Sequence, residues 1–206
     1  MEWEYTANKK EIKFDKNSDF YWKSQDNSYI EEDDRPAHES RNEHLIKLLG
    51  EIGRILDIGS RTGIAERVAE RYGAKYYVGI DISPRNVELA QKLGRNVKIG
   101  DAHDLKEYFK FDTVISVHSL EHCHSPQKVI NEVWNVLVPG GKFGLRAPMQ
   151  KDLTVQRNKP GPYGELPPHF CVLNRDSLIK WMTESGFSLE YIESTDKEII
   201  MIGEKI

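Results

Sequence analysis

Arg54-Ile55-Leu56-Asp57-Ile58-Gly59-Ser60-Arg61-Thr62-Gly63 decides how this chain is read. An apolar, β-branched run ends in an acid and passes into a glycine-punctuated turn that opens a helix. Amides at a helix start lack intrahelical acceptors and sit at the positive end of the helix dipole. They favour an anionic group, while glycines let a ligand approach the backbone. Asp57, at the strand's end, supplies a carboxylate for a cationic group. Strand, turn and helix start together are expected to form a cofactor pocket.

Outward from this stretch, helices and strands alternate. Upstream, a helical pattern from residue 38 carries Leu45, Ile46, Leu48 and Leu49 on one side and stops at Gly50. Downstream, residues 64–72 read as a helix stopped by Gly73, and 76–81 as a strand. Ser83-Pro84 supplies a cap and a first-turn proline for a helix ending at Gly94. Short strands are expected at 97–100 and 112–117. Ser125-Pro126 opens a helix that buries Val129, Ile130, Val133, Trp134 and Leu137. Pro139-Gly140-Gly141 then turns the chain into a strand over 142–146. A helix at 175–185, stopped by Gly186, precedes strands at 187–192 and 198–203, whose short connection requires an antiparallel hairpin. Repeated strand–helix–strand units imply an α/β fold with a parallel sheet covered on both faces, and ligands at the strands' carboxyl ends.

The remaining segments are expected to be accessory. Residues 1–37 read as an irregular, aromatic-rich arm or lid, and 38–206 as the folded domain. Within it, 148–170 breaks the rhythm with Lys159-Pro160-Gly161-Pro162-Tyr163-Gly164 and reads as a substrate loop. A net charge of −4 gives no general attraction to nucleic acid or anionic membrane. Cys123 and Cys171 stand in unrelated contexts, so a disulfide scaffold or cysteine metal cluster is not expected. Met1-Glu2-Trp3-Glu4-Tyr5 lacks a basic segment followed by an apolar run, and a cytoplasmic, unexported protein with no membrane span is expected.

Dinucleotides and S-adenosylmethionine both use a strand, glycine turn and helix followed by an acid on the next strand, here Asp81. A dinucleotide fingerprint needs a glycine where the backbone meets pyrophosphate; Arg61 stands in that neighbourhood, and S-adenosylmethionine has no pyrophosphate. Arg61 is expected to project into solvent rather than narrow the pocket.

With that contrast the chain resembles the class I S-adenosylmethionine-dependent methyltransferases, methyltransferase type 11-like members in particular. Asp57-Ile58-Gly59-Ser60-Arg61-Thr62-Gly63 matches their first motif except at the middle glycine. The resemblance continues through Val78-Gly79-Ile80-Asp81-Ile82-Ser83, Gly100-Asp101-Ala102-His103-Asp104, Phe111-Asp112-Thr113-Val114-Ile115-Ser116 and Leu137-Val138-Pro139-Gly140-Gly141. It implies a three-layer Rossmann-like sandwich whose seven-stranded, mostly parallel sheet has its last strand antiparallel. It also implies that Asp57 and the Gly59 backbone face the methionine moiety, with Ser60, Gly63 and Val117 completing that pocket. Asp81 would meet the ribose, Ile82 the adenine face, and Asp101 with Ala102 the adenine edge.

Methyl transfer from a sulfonium is a direct displacement, so alignment and exclusion of water dominate, with a base where oxygen or nitrogen attacks. His118-Ser119-Leu120-Glu121-His122-Cys123-His124 follows the fourth strand and carries the nearby titratable groups. His118, His122 and the distant His169 are the catalytic candidates; bracing of the next helix by Glu121 and His122 is the structural alternative. The spacing is similar to the Glu-x-x-Glu-His cation site of small-RNA 2′-O-methyltransferases and ubiquinone-pathway O-methyltransferases. Its first position here is His118, and no metal is expected. The expected acceptor is a small molecule, methylated at oxygen or nitrogen, in a pocket that also uses Arg146 and the loop around Tyr163. A catalytically silent S-adenosylmethionine-binding module and an RNA methyltransferase stand as alternatives; a basic stripe beside the pocket would be needed for RNA.

Overall fold

A computed structural model describes residues 36–108, 110–149 and 173–206. Nearly all of the expected arm and most of the expected substrate loop, with Tyr163, His169 and Cys171, lie outside the described residues. The elements run α1 (Pro36–Leu49), β1 (Arg54–Ile58), α2 (Ile64–Arg71), β2 (Tyr76–Asp81), α3 (Pro84–Lys92), β3 (Val97–Ile99) and β4 (Phe111–Val117). A single 3-10 turn (Leu120–His122), α4 (Pro126–Val136), β5 (Leu137–Pro148), α5 (Arg175–Glu184), β6 (Phe187–Ser194) and β7 (Glu198–Lys205) follow. They form one seven-stranded sheet in the order β3-β2-β1-β4-β5-β7-β6. Strands β1 to β5 pair in parallel, and β7 runs antiparallel between β5 and β6.

Local chemistry accounts for the element ends. Ser83 accepts the Asn86 amide as the N-cap of α3, with Pro84 in its first turn. Asn174 caps α5 in the same way through Ser177. One boundary departs from expectation. Leu137 does not close the buried face of α4 but starts β5, which runs through Pro139-Gly140-Gly141 without ending. Phe111 lies opposite Leu137 while Thr113 lies opposite Lys142, so residues 138–141 bulge from the ladder. Lys205 secures this junction: its ammonium donates to the Trp134 carbonyl at 2.6 Å and to the Leu137 carbonyl at 2.9 Å.

Side chains alternate across a strand, and this period of two assigns each strand residue to a face. Leu56, Ile58, Val114, Phe143, Leu145 and Met201 pack beneath α4 and α5 with Val129, Ile130, Val133, Leu178 and Met182. Ile55, Ile115, Ile200 and Ile202 pack on the other face beneath α1 and α2, with Leu45, Ile46, Leu49 and Val68. By the same alternation Asp57, Val117, Arg146 and Glu198 fall on the α1 face. All four stand at one edge of the sheet, because antiparallel β7 brings its first residue, Glu198, opposite Pro148 at the end of β5. Asp112, although part of a motif, sits at the opposite end, where its carboxylate accepts from the Arg54 amide and guanidinium. No helix among the described residues is long and apolar enough to cross a membrane.

Candidate active site

At the carboxyl ends of β1 and β4 the sheet opens into a cleft. It is lined by Asp57, Gly59, Ser60, Arg61 and Ile64 on the turn side, Val117 and His118 after β4, and His38, Arg41 and Asn42 from α1. The turn is closed on itself. Gly59 and Ser60 donate their amides to the Ile80 carbonyl at 2.9 and 3.0 Å, Gly63 donates to the Ser60 carbonyl, and Arg61 donates to Asp81 Oδ2 at 2.9 Å. The amides of these four residues, which precede the helix, are thus engaged within the protein. What Gly59 provides is room for Ser119 after β4. At Gly59, φ is +68° and a Cβ would collide with the Ser119 side chain. Gly63 does not face the cleft; a Cβ there would meet Val97 Cγ2 at 2.7 Å.

Arg61 takes a left-handed conformation, φ +50°, at the place where the family pattern has glycine. A side chain with φ above zero costs roughly 1–2 kcal/mol, and the bond from its amide to Asp81 compensates. The residue borders the cleft and is half-buried.

The acids differ in their surroundings. Asp57 Oδ2 accepts the Tyr77 hydroxyl at 2.7 Å, and burial pushes its carboxyl up to about 7, with the Tyr77 bond opposing and the Asp81 charge adding. Asp81 accepts the Ser83 amide and Asn86 Nδ2 at Oδ1 and the Arg61 amide at Oδ2. A carboxylate has about four lone-pair sites, so one on Oδ2 is left for a hydroxyl. Burial raises the Asp81 carboxyl against these bonds. Asp101 Oδ1 accepts from both the amide and Nδ1 of His103. His103 Nε2 in turn accepts the Ser125 amide at 3.4 Å, and its ring stacks on His124 at 3.9 Å. Ala102 packs partly buried against the core, and Ile82 is half-buried beside Asp81.

After β4 the chain turns sharply: His118 has φ +53°, held by donation of its amide to the Arg146 carbonyl at 2.8 Å. Its Nε2 lies 2.9 Å from Glu198 Oε1. A carboxylate only accepts, so Nε2 carries the proton and Nδ1 holds the lone pair. Burial, with the Arg41 charge adding, pushes this imidazole down to about 4 against the pull of Glu198. Glu121, 2% exposed, stands between His118 Nδ1 at 3.8 Å and His122 Nε2 at 3.9 Å, and burial pushes its carboxyl up to about 8. His122 is therefore behind Glu121 and does not line the cleft. Among the described residues no group of three His, Cys, Asp or Glu side chains is arranged to hold a metal ion.

The structure thus brings Asp57, Gly59, Ser60, Val117 and His118 into one cleft, with Asp81, Ile82, Asp101 and Ala102 following along the ends of β2 and β3. Sequence reasoning missed Arg41, His38 and Asn42 of α1, Glu198 of β7 and the Tyr77 partner of Asp57. Only the polar face of the helix before β1 hinted at the first three. Glu198 lies 80 residues from His118 and has no local signature.

The methyltransferase domain family matches this chain over residues 29–192. Ajmaline N-methyltransferase of Rauvolfia serpentina is 30% identical over 121 residues, covering 54% of this chain and 41% of that protein. Ubiquinone biosynthesis O-methyltransferase of Coxiella burnetii is 30% identical over 108 residues, covering 49% of this chain and 45% of that protein. The chain spans less than half the length of these curated relatives. Among solved structures, a protein from Pyrococcus horikoshii OT3 superposes with a TM-score of 0.70 at 22% identity, covering 91% of this chain and 99% of that one.

Proposed function

We propose that this chain, which belongs to the methyltransferase domain family, moves a methyl group from S-adenosylmethionine, that family's methyl donor, to an oxygen or nitrogen of a small molecule. One observation carries the reading: a cleft at the strands' carboxyl ends is lined both by a buried acid, Asp57, and by an arginine, Arg41, beside the glycine turn. An acid and a cation in one cleft suit the zwitterionic end of an amino acid. The residues fit the donor: Asp57 for its ammonium, Arg41 for its carboxylate, the open lone pair of Asp81 for a ribose hydroxyl, and Ile82, Asp101 and Ala102 for adenine. When bound, S-adenosylmethionine supplies a methyl group on a sulfonium that a nucleophile displaces directly.

The protein's contribution is alignment and dryness. Ile64 and Val117 form apolar wall in the cleft. His118 lines the cleft with its Nδ1 on the Glu121 side, and an imidazole of such low proton affinity orients a donor O–H or N–H rather than stripping a strongly held proton. The relatives that carry N- and O-methyltransferase names support either acceptor atom. Calorimetric titration tests the donor: S-adenosylmethionine is expected to bind and NAD is not. Binding of NAD without S-adenosylmethionine would overturn the reading. Release of S-adenosylhomocysteine with a panel of small phenols and amines, lost in His118→Ala, is the expected sign of turnover.

A further inference from the structure

Beside the cleft, one carboxylate answers three claims from three other elements. Glu198, at the start of β7, accepts Arg146 Nη2 of β5 at 2.5 Å on Oε2 and His118 Nε2 at 2.9 Å on Oε1. The Arg41 Nε of α1 stands 3.7 Å from that same Oε1, an ion pair without a hydrogen bond. Glu198 itself is fixed, because its amide donates to Thr195 Oγ1 and its carbonyl accepts the Thr195 amide. Arg146 is fixed too: its side chain is 13% exposed and Nη1 donates to the Arg41 carbonyl at 3.5 Å. Arg41 differs from both. Its side chain is 35% exposed, it lines the cleft, and its hold on Glu198 is the longest of the three. Among the described residues this cluster sets two guanidiniums and a neutral imidazole against one carboxylate, an excess of one positive charge at the cleft wall.

We propose that Arg41 is shared between Glu198 and the carboxylate of the bound methyl donor, so that loading the donor withdraws Arg41 and leaves Glu198 wholly to Arg146 and His118. The proposal rests on the donor reading given above. Its consequence falls on His118, which interacts with Arg41 of α1, Arg146 of β5, Glu198 of β7 and Glu121 of the 3-10 turn, with His122 beyond Glu121, and shares the cleft with His38, Asp57 and Arg61. Burial and the charges of Arg41 and Arg146 depress its proton affinity, and Glu198 raises it. Answering the Arg41 charge with the donor's carboxylate removes one depressing influence and frees Glu198 for the ring. His118 then accepts a proton more readily than it would beside a donor that lacks the carboxylate. Arg41 and Glu198 act as positioning residues in this scheme.

The test compares two compounds that differ only in the carboxylate: S-adenosylmethionine and its decarboxylated form, S-adenosylmethioninamine. Each is bound to saturation, verified by calorimetry, and the His118 ring carbon and nitrogen signals, assigned through His118→Gln, are followed through the acid range by NMR. The titration midpoint is expected to lie higher with S-adenosylmethionine than with the amine, since sulfonium and ammonium are common to both. Arg41→Gln is expected to raise the midpoint without any ligand and to erase the difference between the compounds. Glu198→Gln is expected to lower the midpoint and shrink that difference. Equal midpoints in the unaltered chain with both compounds bound would overturn the hand-over while leaving the donor site standing. A difference undiminished in Glu198→Gln would do the same. Failure of S-adenosylmethionine to bind at all would remove the donor site and the hand-over together.

Discussion

Glu121 and Asp57 hold their protons far above the ordinary carboxyl range, to about 8 and about 7, and both for the same first reason, burial. A carboxyl whose folded value is raised binds its proton more tightly folded than unfolded, so stability is greatest in acid and declines as pH rises through the folded value. For Glu121 that decline runs from about pH 4.5 to about pH 8. Glu121→Gln keeps the neutral shape without the ionisation. Its thermal midpoint relative to the unaltered chain is expected to climb between about pH 5 and about pH 8.5, and a flat difference would show that Glu121 ionises freely. Asp57 adds a linkage to binding. An ammonium docked against it favours the carboxylate, so donor binding near pH 6.5, roughly where the group is half or more protonated, should release a proton. The calorimetric heat should then vary with the ionisation enthalpy of the buffer, and Asp57→Asn should lose that dependence. At Arg61 the left-handed backbone gives a third expectation. Arg61→Gly removes roughly 1–2 kcal/mol of strain but adds roughly 0.5–1 kcal/mol of unfolded-chain entropy, so chemical denaturation should find it equal or slightly more stable. Arg61→Val, β-branched at the same φ, should be clearly less stable.

At the scale of elements, most helix and strand positions were legible because their signals are local: a serine and proline at the start of α3, a glycine after α2 and α5, apolar residues at helical spacing in α4. The junction of α4 with β5 was not. Leu137 continues the helical spacing of Val129, Ile130 and Val133, and Pro139-Gly140-Gly141 has the composition of a turn, yet β4 offers a parallel ladder from Phe111 onward and the strand begins early. Lys205 decides this from the far end of the chain, because its ammonium binds the Trp134 and Leu137 carbonyls and lies 3.8 Å from the Trp134 ring centroid. Lys205→Met keeps the aliphatic stem and removes both bonds. It should lose about 1–3 kcal/mol, read as a fall of about 2–4 °C in Tm per kcal/mol for a chain of this size. An unchanged Tm would mean that these carbonyls find other partners without cost.

For the whole molecule, the seven-stranded, mostly parallel sheet and the antiparallel closing hairpin follow expectation, since alternation of helix and strand and the short connection before β7 restrict the topology. The donor side of the cleft was legible for the same reason: Asp57, Gly59 and Ser60 are consecutive or nearly so, and a strand–turn–helix keeps them together wherever the rest of the chain goes. The other wall depends on distant crossings. Period-two alternation on β4, β5 and β7 sends His118, Arg146 and Glu198 toward α1, but only the sheet order makes those strands neighbours, and only the reversed direction of β7 puts its first residue at their last. The sequence by itself determined the fold class, the glycine turn and the acids at strand ends, because each is set by residues a few positions apart. Tertiary structure alone decided that the amides of Gly59, Ser60 and Arg61 are engaged by β2 and that Arg41, Glu198 and His118 meet, because those contacts join segments whose separation along the chain carries no local signal.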